Sequence, residues 1–481
     1  MLLLLPILLP VVGGIFVFRQ KEEKLRNRMV LMIVGVTSVL AVTLCLLPAQ
    51  TLELMTIQGP LRLSLQNDGL SRFFMVLIAG IWTPISVFSF PYLKHAKREE
   101  QFLGFYTMAM GVLMGIAMAN NFVTLYMFFE LMSLITMPLV LHDGTFEARR
   151  AGFKYLGYSV FGAGMALAGF FFLSYYMSSG DFAAGGVIDF IKAEGHRELL
   201  LIVYFIMIVG FGAKAGLMPM QAWLPTAHPV APAPASAVLS GVITKGGVLA
   251  IIRVTYYMFG PKFLAGSWAV LALSVLALGT IFVGSMLALR EKQLKKRLAY
   301  STVSQVSYVL FGLLLLTPAG VEGALLQVVF HALAKDTLFL AAGAIIMYTH
   351  NTRVDELAGI GKKMPVTMWC FTLAALSLIG IPPMSGFISK WSLGTAALGS
   401  GSVILGYAGV AVLIVSALLT AGYLLPVITN GFFPGSYEGK RKEADLRMTV
   451  PMIAFSALIV LLGVFPAGLT NWLGNLISKL F

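Results

Sequence analysis

Six ionisable side chains lie inside stretches of sequence that are otherwise apolar enough to cross a membrane. They are Glu130, Lys214, Lys245, His331, Lys335 and Lys390. A charged side chain at the centre of a bilayer costs about 2.5–3.5 kcal/mol on insertion scales, so such residues usually have a partner and a function. Counted at helical rise, the first five lie about 14–22 Å inside their spans, in an apolar layer about 30 Å thick. The sequence therefore predicts a row of protonatable groups near the midplane that passes protons laterally.

Two of the predicted helices are interrupted beside these residues. Between Lys214 and Lys245 the chain carries five prolines and His228 but no acidic residue. The segment Ile381–Gly386 precedes Lys390, which is 24 residues into its predicted span and too deep for a straight helix. At membrane depth, non-helical backbone persists only where protein or a wet cavity satisfies its polar groups. Broken helices beside buried charges therefore predict an ion path.

The composition places these residues in a polytopic membrane protein. Of 481 residues, 58% are hydrophobic and 11% are charged, and the mean hydropathy is +0.87. This composition leaves no room for a sizeable soluble domain. We predict an all-α membrane protein with about 14 transmembrane helices, the seventh and twelfth of them discontinuous. The predicted spans are residues 2–18, 29–47, 72–92, 102–119, 121–141, 155–177, 199–218, 233–258, 267–289, 301–316, 321–348, 366–397, 402–428 and 448–466.

The distribution of lysine and arginine predicts how these helices are oriented. If the loops alternate between the two sides of the membrane, one side receives 23 of the 34 basic residues, the other receives six, and five lie within spans. Because basic loops stay cytoplasmic, this asymmetry favours 14 spans in a prokaryotic-type cytoplasmic membrane, with both termini outside. The net charge of +13 comes mostly from these short runs between spans, so it indicates membrane topology and no nucleic-acid partner.

The sequence indicates no cofactor or metal site. Cys45 and Cys370 lie far apart in predicted spans without a CxxC pair, which argues against a disulfide framework and an iron–sulfur centre. A phosphate-binding glycine loop and a flavin or nicotinamide fingerprint are also missing. We expect this chain to bind no cofactor, with any iron–sulfur or other redox centres carried by partner subunits.

Four regions are predicted along the chain. Residues 1–101 hold helices 1–3 and a short extramembrane hairpin at 48–68 that turns at Gly59-Pro60. Residues 102–258 form a first five-helix repeat, helices 4–8, and residues 267–428 form a second, helices 9–13. Five is odd, so the second repeat enters the membrane inverted, as is common among ion transporters. Residues 429–481 provide a C-terminal loop and helix 14.

The ionisable residues stand in motifs that together are specific, although each is weak alone. The motifs are FFELMSL with Glu130, GAKAGLMPMQAWLPTAH with Lys214, ITKGGVLAIIR with Lys245, LKKRLAYSTVSQVSY at 294–308, HALAKDTLF with His331 and Lys335, and GIPPMSGFISKW with Lys390. Over roughly residues 68–430 the chain resembles the antiporter-like subunits shared by respiratory complex I, Mrp-type multisubunit sodium/proton antiporters and membrane-bound energy-converting hydrogenases.

The resemblance implies a proton route in two halves that meet near the centre of the protein. The implied roles, in chain order, are a Glu130–Lys214 pair, Lys245 as central carrier, His331 and Lys335 as the link, and Lys390 as terminal donor. It also implies partner subunits that are hydrophobic membrane proteins. The transported ion is the proton, with sodium as a second candidate.

Two residues depart from the family pattern. Gln327 lies one turn before His331, where some members have a second histidine, so the link into the second half is expected to rely more on water. Asp336 stands where a small apolar residue is expected, and it either stabilises the surroundings of Lys335 or faces a partner chain. Of two further buried polar residues, Arg253 is predicted to be an interfacial anchor, and His228 either lines water or caps backbone.

Three hypotheses for function follow. The first is a proton-translocating, antiporter-like subunit of a redox-driven ion pump, complex I-like or hydrogenase-like, with no redox centre of its own. The second is a subunit of an Mrp-type sodium/proton antiporter without redox coupling. The third is a structural subunit whose buried charges only hold the assembly together.

Overall fold

The computed structural model describes residues 1–58, 61–94, 96–433 and 442–481, most of them in helices. The α-helices are α1 Leu5–Arg19, α2 Glu23–Leu46, α3 Gly69–Leu93, α4 Glu99–Ala117, α5 Phe122–Leu141, α6 Phe146–Ser174, α7 Arg197–Ala215, α8 Leu224–Val230, α9 Ala233–Val238, α10 Thr244–Ile252, α11 Pro261–Leu264, α12 Trp268–Arg290, α13 Leu294–Leu314, α14 Pro318–Thr349, α15 Ile360–Lys363, α16 Pro365–Ile379, α17 Ser385–Leu398, α18 Val403–Phe432, α19 Leu446–Val464 and α20 Ala467–Ile477. Two π-helical segments, Leu239–Ile243 and Arg253–Phe259, flank α10. Short 3₁₀ turns lie at Leu2–Leu4, Met220–Trp223 and Val354–Leu357.

Eleven helical stretches in the described part of the chain are long and apolar enough to cross a membrane. The other three predicted spans coincide with α4, α13 and the α16–α17 pair, which are helical but shorter or more polar. The class of polytopic, mostly helical membrane protein is therefore confirmed. The count of 14 spans and the inverted repeats remain predictions.

Polar residues at the span ends determine where several helices begin. Asp68 caps α3 by accepting a hydrogen bond from the Ser71 backbone N–H at 2.8 Å. Asn121 caps α5 in the same way, accepting from Thr124 N at 2.9 Å. Short acceptor side chains satisfy the unpaired N–H groups of a first turn, so the helices can start at a defined depth.

The hairpin predicted at 48–68 is present. Strands β1 (Thr51–Gln58) and β2 (Leu61–Gln66) pair antiparallel, and the predicted Gly59-Pro60 turn lies outside the described residues. Arg62 Nε on β2 donates to Asp181 Oδ1 at 3.0 Å, which ties the hairpin to the loop between α6 and α7.

The helix α14 occupies the centre of the protein. It packs against α9, α13, α16, α17 and α19, and against the first π-helical segment. Most of its side chains are buried, including His331, Lys335 and Asp336. A helix buried on all sides in a membrane protein is where polar groups can be kept away from lipid.

The first helix break follows α7. Gly216 ends the helix in the left-handed conformation, at φ +86°, where a side chain would be strained. Trp223 Nε1 then donates to the Ala213 carbonyl at 2.7 Å, which satisfies one acceptor freed by the break. The break is therefore supported by protein rather than exposed to lipid, as membrane depth requires.

The second break separates α16 from α17 and coincides with the predicted interruption at Ile381–Gly386. Gly380 ends α16 at φ +95°. Where α17 begins, Gly386 packs so closely that a Cβ would lie 1.9 Å from the Ser377 carbonyl oxygen. Only glycine allows the two half-helices to approach in this way.

Candidate functional site

The ammonium of Lys214 is held by hydroxyl groups. Buried at the end of α7, its Nζ donates to Ser133 Oγ at 2.9 Å, Tyr155 Oη at 2.8 Å and Ser159 Oγ at 3.0 Å. The same Nζ lies 4.4 Å from the centroid of the Tyr155 ring, a cation–π contact. All three N–H groups of the ammonium therefore have acceptors, so a proton can be retained on this buried lysine.

The predicted pair between Glu130 and Lys214 is not a direct ion pair. Glu130 is half-buried on α5, and its Oε1 has no hydrogen-bond partner among the described residues. Neither oxygen of its carboxylate lies within 4.0 Å of a basic nitrogen in the described part of the chain. The two residues still interact through space electrostatically. Three hydroxyls have taken the places on Lys214 that a carboxylate would use, because α5 presents Ser133 rather than Glu130 to α7.

Lys245 lies beside a π-helical turn. A π turn shifts the backbone hydrogen bonds from i−4 to i−5 and is often found at functional sites. Here the Ser240 carbonyl accepts a hydrogen bond from Lys245 Nζ at 2.5 Å, and another from Thr244 Oγ1 at 2.8 Å. The side chain of Lys245 is fully buried. The local backbone therefore supplies an acceptor for a charge that has no salt bridge within the described residues.

His331 connects Lys245 to the second half of the protein. Its Nδ1 lies 2.7 Å from Lys245 Nζ, while its Nε2 is buried and has no partner among the described residues. The ring also lines a narrow space with Gln305, Gln327 and Lys390. This space leaves no room for a water molecule, so its hydration requires side-chain movement. The structure thus places Lys245 in contact with His331, and His331 and Lys390 on the lining of one space.

Gln327 bridges this space. Its Nε2 donates to Gln305 Oε1 at 2.9 Å, and its Oε1 accepts from Ser389 Oγ at 2.6 Å. A chain of amide and hydroxyl groups therefore runs from α13 to α17, where the resemblance led us to expect water.

The side chain of Lys335 contacts α13 rather than the space around Lys390. Its Nζ donates to the Leu298 carbonyl at 2.7 Å and to Ser301 Oγ, both at the start of α13. It is four residues after His331 and fully buried, but it is not one of the residues that line the space around Lys390. The expected order from His331 through Lys335 to Lys390 is therefore not the order of contacts.

Lys390 caps the broken helix α16. Its Nζ donates to the carbonyls of Leu378 and of Ile379, the latter at 2.8 Å. A cation at a helix C-terminus is stabilised by the unpaired carbonyls there. On its other side, Lys390 borders an apolar recess of about 320 Å³ between α17 and α18 that includes Trp391 and Ile414. The break thus explains why a lysine is tolerated here, because it frees carbonyl acceptors. The recess gives access to the side chain of Lys390 from the other side.

A glycine brings the Lys214 and Lys245 helices together. A Cβ on Gly247 would lie 2.8 Å from Ala215 N and 3.1 Å from Lys214 Cβ. The backbones of α7 and α10 therefore touch beside both lysines. A larger residue at position 247 would push them apart.

Arg253 is not the interfacial anchor that the sequence suggested. It is 1% exposed and forms a two-bonded ion pair with Asp68, at 2.6 Å from Nη1 to Oδ2 and 2.9 Å from Nη2 to Oδ1. Tyr257 stacks under the guanidinium at 4.5 Å. The prediction is wrong because Asp68, far away in sequence, reaches the arginine from the N-terminus of α3.

His228 lies in the first break, fully buried and stacked on Phe339 at 4.6 Å. Neither ring nitrogen has a hydrogen-bond partner among the described residues, so the alternative in which the ring caps backbone is not observed. A cavity of about 480 Å³ opens beside the break and is lined by, among others, His142, Asp143 and Lys295.

Several functional contacts could not be found from sequence. Ser133, Tyr155 and Ser159 carry no signal, since single hydroxyls are common in apolar helices. Gln305 could have been found, because a glutamine within an apolar span needs a partner. Among the described residues, no group of three His, Cys, Asp or Glu side chains could hold a metal ion.

Comparisons with known proteins agree with this architecture. A family model described as "NADH:quinone oxidoreductase/Mrp antiporter, TM" matches residues 119–416. The N subunit of the NADH-quinone oxidoreductase of Desulforudis audaxviator is 33% identical over 426 residues, which cover 84% of this chain and 83% of the relative. A subunit of the Na(+)/H(+) antiporter of Alkalihalophilus pseudofirmus is 28% identical over 470 residues, covering 96% of this chain and 93% of the relative.

A solved structure shows the same fold. A chain of the membrane-bound sulfane sulfur reductase, an archaeal respiratory membrane complex, superimposes with a TM-score of 0.88 at 22% identity, covering 99% of this chain and 97% of that one. The protein is an antiporter-like membrane subunit. It belongs to the family shared by complex I, Mrp antiporters and hydrogenase complexes, which confirms the resemblance seen in the motifs.

Proposed function

We propose that this chain is a proton-translocating subunit of a redox-driven ion pump, in which buried side chains pass protons along the midplane. The relay consists of Glu130, Lys214, Lys245, His331, Lys335 and Lys390. The observation that carries the proposal is the 2.7 Å contact between Lys245 and His331, together with the space that His331 shares with Lys390.

The partners of the lysines support movement of protons rather than a static charge. None of Lys214, Lys245, Lys335 and Lys390 has a salt bridge within the described residues, and each ammonium is held by hydroxyls, carbonyls or a histidine. A buried charge with a fixed counter-ion costs energy to neutralise. A lysine with neutral partners can lose its proton without leaving a buried, uncompensated carboxylate.

The position of Glu130 supports assembly with hydrophobic partner subunits. Its neighbours on the same face of α5, Met127 and Leu134, are both exposed. A half-buried carboxylate on such a face is unfavourable against lipid, so another membrane subunit covers it. Redox centres, if the pump is driven by electrons, are in such partners, and this chain binds no cofactor.

The architecture that we propose has 14 spans, two inverted five-helix repeats and both termini outside. The two breaks support it, because each falls in the fourth span of its five-span block. The first lies between α7 and α8, and the second between α16 and α17. Paired interruptions at corresponding positions are typical of inverted repeats, with the ion path between them.

The test replaces Lys245 with alanine in the complete complex, reconstituted in vesicles with a pH-sensitive dye inside. We expect proton flux to be lost while the complex stays intact. Lys262→Ala, an exposed lysine at the start of α11, is the control and should leave the flux unchanged. Normal flux from an intact Lys245→Ala complex would refute the relay and favour the structural alternative.

A subunit of an Mrp-type sodium/proton antiporter without redox coupling is the second candidate. It is favoured by the 28% identity to the Alkalihalophilus pseudofirmus antiporter protein over nearly the whole chain. Purification of the native complex and identification of its subunits separate the two. Iron–sulfur or other redox subunits would support the redox-driven pump, whereas proton flux that needs only a sodium gradient would support the antiporter.

A further inference from the structure

Asp336 is a buried carboxylate without a hydrogen-bond partner among the described residues. It lies on α14, directly after Lys335, with no exposed surface. Both of its oxygens, Oδ1 and Oδ2, are unpaired. An unpaired carboxylate in such a place costs several kcal/mol if it is charged, so it must be neutral or must have a counter-charge within reach.

The carboxylate lies against the π-helical turn that positions Lys245. A Cβ on Gly241 would be 2.1 Å from Asp336 Oδ1 and 2.3 Å from Oδ2. The residue before it, Ser240, supplies the carbonyl that accepts from Lys245 Nζ. Asp336 and Lys245 therefore flank the same turn, and glycine at 241 is what lets the carboxylate approach.

The charges around Asp336 point to Lys245. The ammonium of Lys245 is the group that acts on this carboxylate electrostatically, and Asp336 in turn acts on Lys245. Tyr106 on α4 is also within electrostatic range, but its Oη already donates to the Trp82 carbonyl at 3.1 Å. The ammonium of Lys335, the adjacent residue, donates its hydrogen bond to the Leu298 carbonyl on α13 instead.

One N–H group of the Lys245 ammonium is unpaired among the described residues. Of the three N–H groups of its ammonium, one is used by Ser240 and one is directed at His331. The third has no partner among the described residues. The ammonium and the Asp336 carboxylate are not within 4.0 Å of each other, so this N–H would reach the carboxylate through one bridging water.

We propose that Asp336 is a second proton acceptor for Lys245, so that the central lysine can pass its proton either to His331 or to Asp336. In this step an N–H bond of the Lys245 ammonium breaks and an O–H bond forms on the Asp336 carboxylate. A charged pair becomes a neutral pair and nothing else changes. Asp336 thus stores a proton beside the central carrier until His331 is free. This role rests on the proposed function of the relay.

The test uses the complete complex in vesicles, with four versions of this chain: wild type, Asp336→Asn, Thr337→Val and Lys245→Ala. Asparagine keeps the shape of the side chain and cannot take up the proton. We expect at least about a tenfold fall in proton flux and a flattened pH profile, a change equivalent to about 1.4 kcal/mol in the barrier. Thr337, the next residue, is equally buried and uncharged, and Thr337→Val should behave as wild type.

The outcomes separate this inference from the proposed function. If Lys245→Ala abolishes flux while Asp336→Asn leaves flux and its pH profile unchanged, only the Asp336 role is refuted. If Lys245→Ala retains full flux, the relay itself is refuted. Loss of sodium dependence with normal proton flux in Asp336→Asn would make the carboxylate a cation ligand and overturn the proposal.

Infrared difference spectra provide a second measurement. The wild-type complex should show a protonated-carboxyl stretching band that appears as the pH is lowered and is missing in Asp336→Asn. Asp336→Ser, smaller and still polar, replaces the asparagine variant if that variant does not assemble. Failure of both variants to assemble, or absence of the band, would assign Asp336 a structural role and contradict the proposal.

Discussion

Replacement of Tyr155 by phenylalanine tests whether hydroxyl groups hold the proton on Lys214. The hydroxyl of Tyr155 accepts a hydrogen bond from Lys214 Nζ at 2.8 Å and lies 2.6 Å from Thr136 Oγ1. Phenylalanine keeps the ring, and therefore the cation–π contact at 4.4 Å. Thr136 keeps its bond to the Met132 carbonyl at 2.6 Å. The change removes essentially one acceptor of the ammonium.

The magnitude follows from that one bond. A hydrogen bond to a charged group contributes about 1.5–3 kcal/mol, and its loss affects only the protonated form of Lys214. At a fixed pH, this corresponds to about a 10- to 150-fold fall in the ratio of protonated to neutral Lys214. Since more acid restores the protonated form, the pH of half-maximal flux should fall by about one to two units.

The assay is proton flux of the complete complex in vesicles, measured at a series of pH values. Tyr204→Phe is the matched control. Tyr204 is also fully buried, and its hydroxyl lies 3.1 Å from Thr255 Oγ1, a neutral partner. Its loss should leave the pH profile in place. An identical profile for Tyr155→Phe, Tyr204→Phe and wild type would refute the view that hydroxyls control the proton on Lys214.

Three further perturbations address the packing and the second half of the route. Arg253→Met should destabilise the protein, by at most about 3–5 kcal/mol, because the half-buried Asp68 loses its ion-pair partner and keeps only its bonds from Ser71. Thermal unfolding measures this, and Arg253→Met with Asp68→Asn should recover part of the loss. Gly247→Ala should cost about 1–3 kcal/mol, because its Cβ meets backbone at 2.8 Å. Gly246→Ala should cost less, because the nearest atom to its Cβ is the flexible end of the Met132 side chain, at 3.2 Å. Gln327→Leu should reduce proton flux about tenfold, a barrier change of about 1.4 kcal/mol, while Gln327→His should retain most of it; equal flux in both would exclude this residue from the path.

The sequence predicts the long apolar helices and the burial of the lysines well because both depend on hydropathy. Its predicted ends are less accurate. The predicted sixth span begins at residue 155, whereas α6 begins at Phe146, since basic residues extend the helix beyond the apolar layer. Hydropathy reports depth in the membrane, not the end of the hydrogen-bonded helix.

Which side chains meet inside the protein could not be predicted in the same way. Lipid tails are as apolar as leucine, so a helix face that packs on protein and one that faces lipid carry similar residues. Ser133 and Asp68 therefore gave no sign of contacting Lys214 and Arg253. The π-helical turns are likewise hidden, because an all-apolar helix has no periodic pattern from which a change of register can be detected.

The two π-helical turns around α10 restrict how the chain length can vary. Each turn accommodates its residues in a wider ring than an α-helical turn, equivalent to a local insertion. Deleting one residue between Leu239 and Ile243 would remove the wide turn and let the segment close as an ordinary α-helix, with the flanking helix kept in its orientation. A carbonyl of the turn such as that of Ser240, which accepts from the Lys245 ammonium, would then be taken by the backbone N–H four residues later. Evolution can exchange side chains of similar size in this segment, but shortening it by one position would cost the central lysine its backbone acceptor.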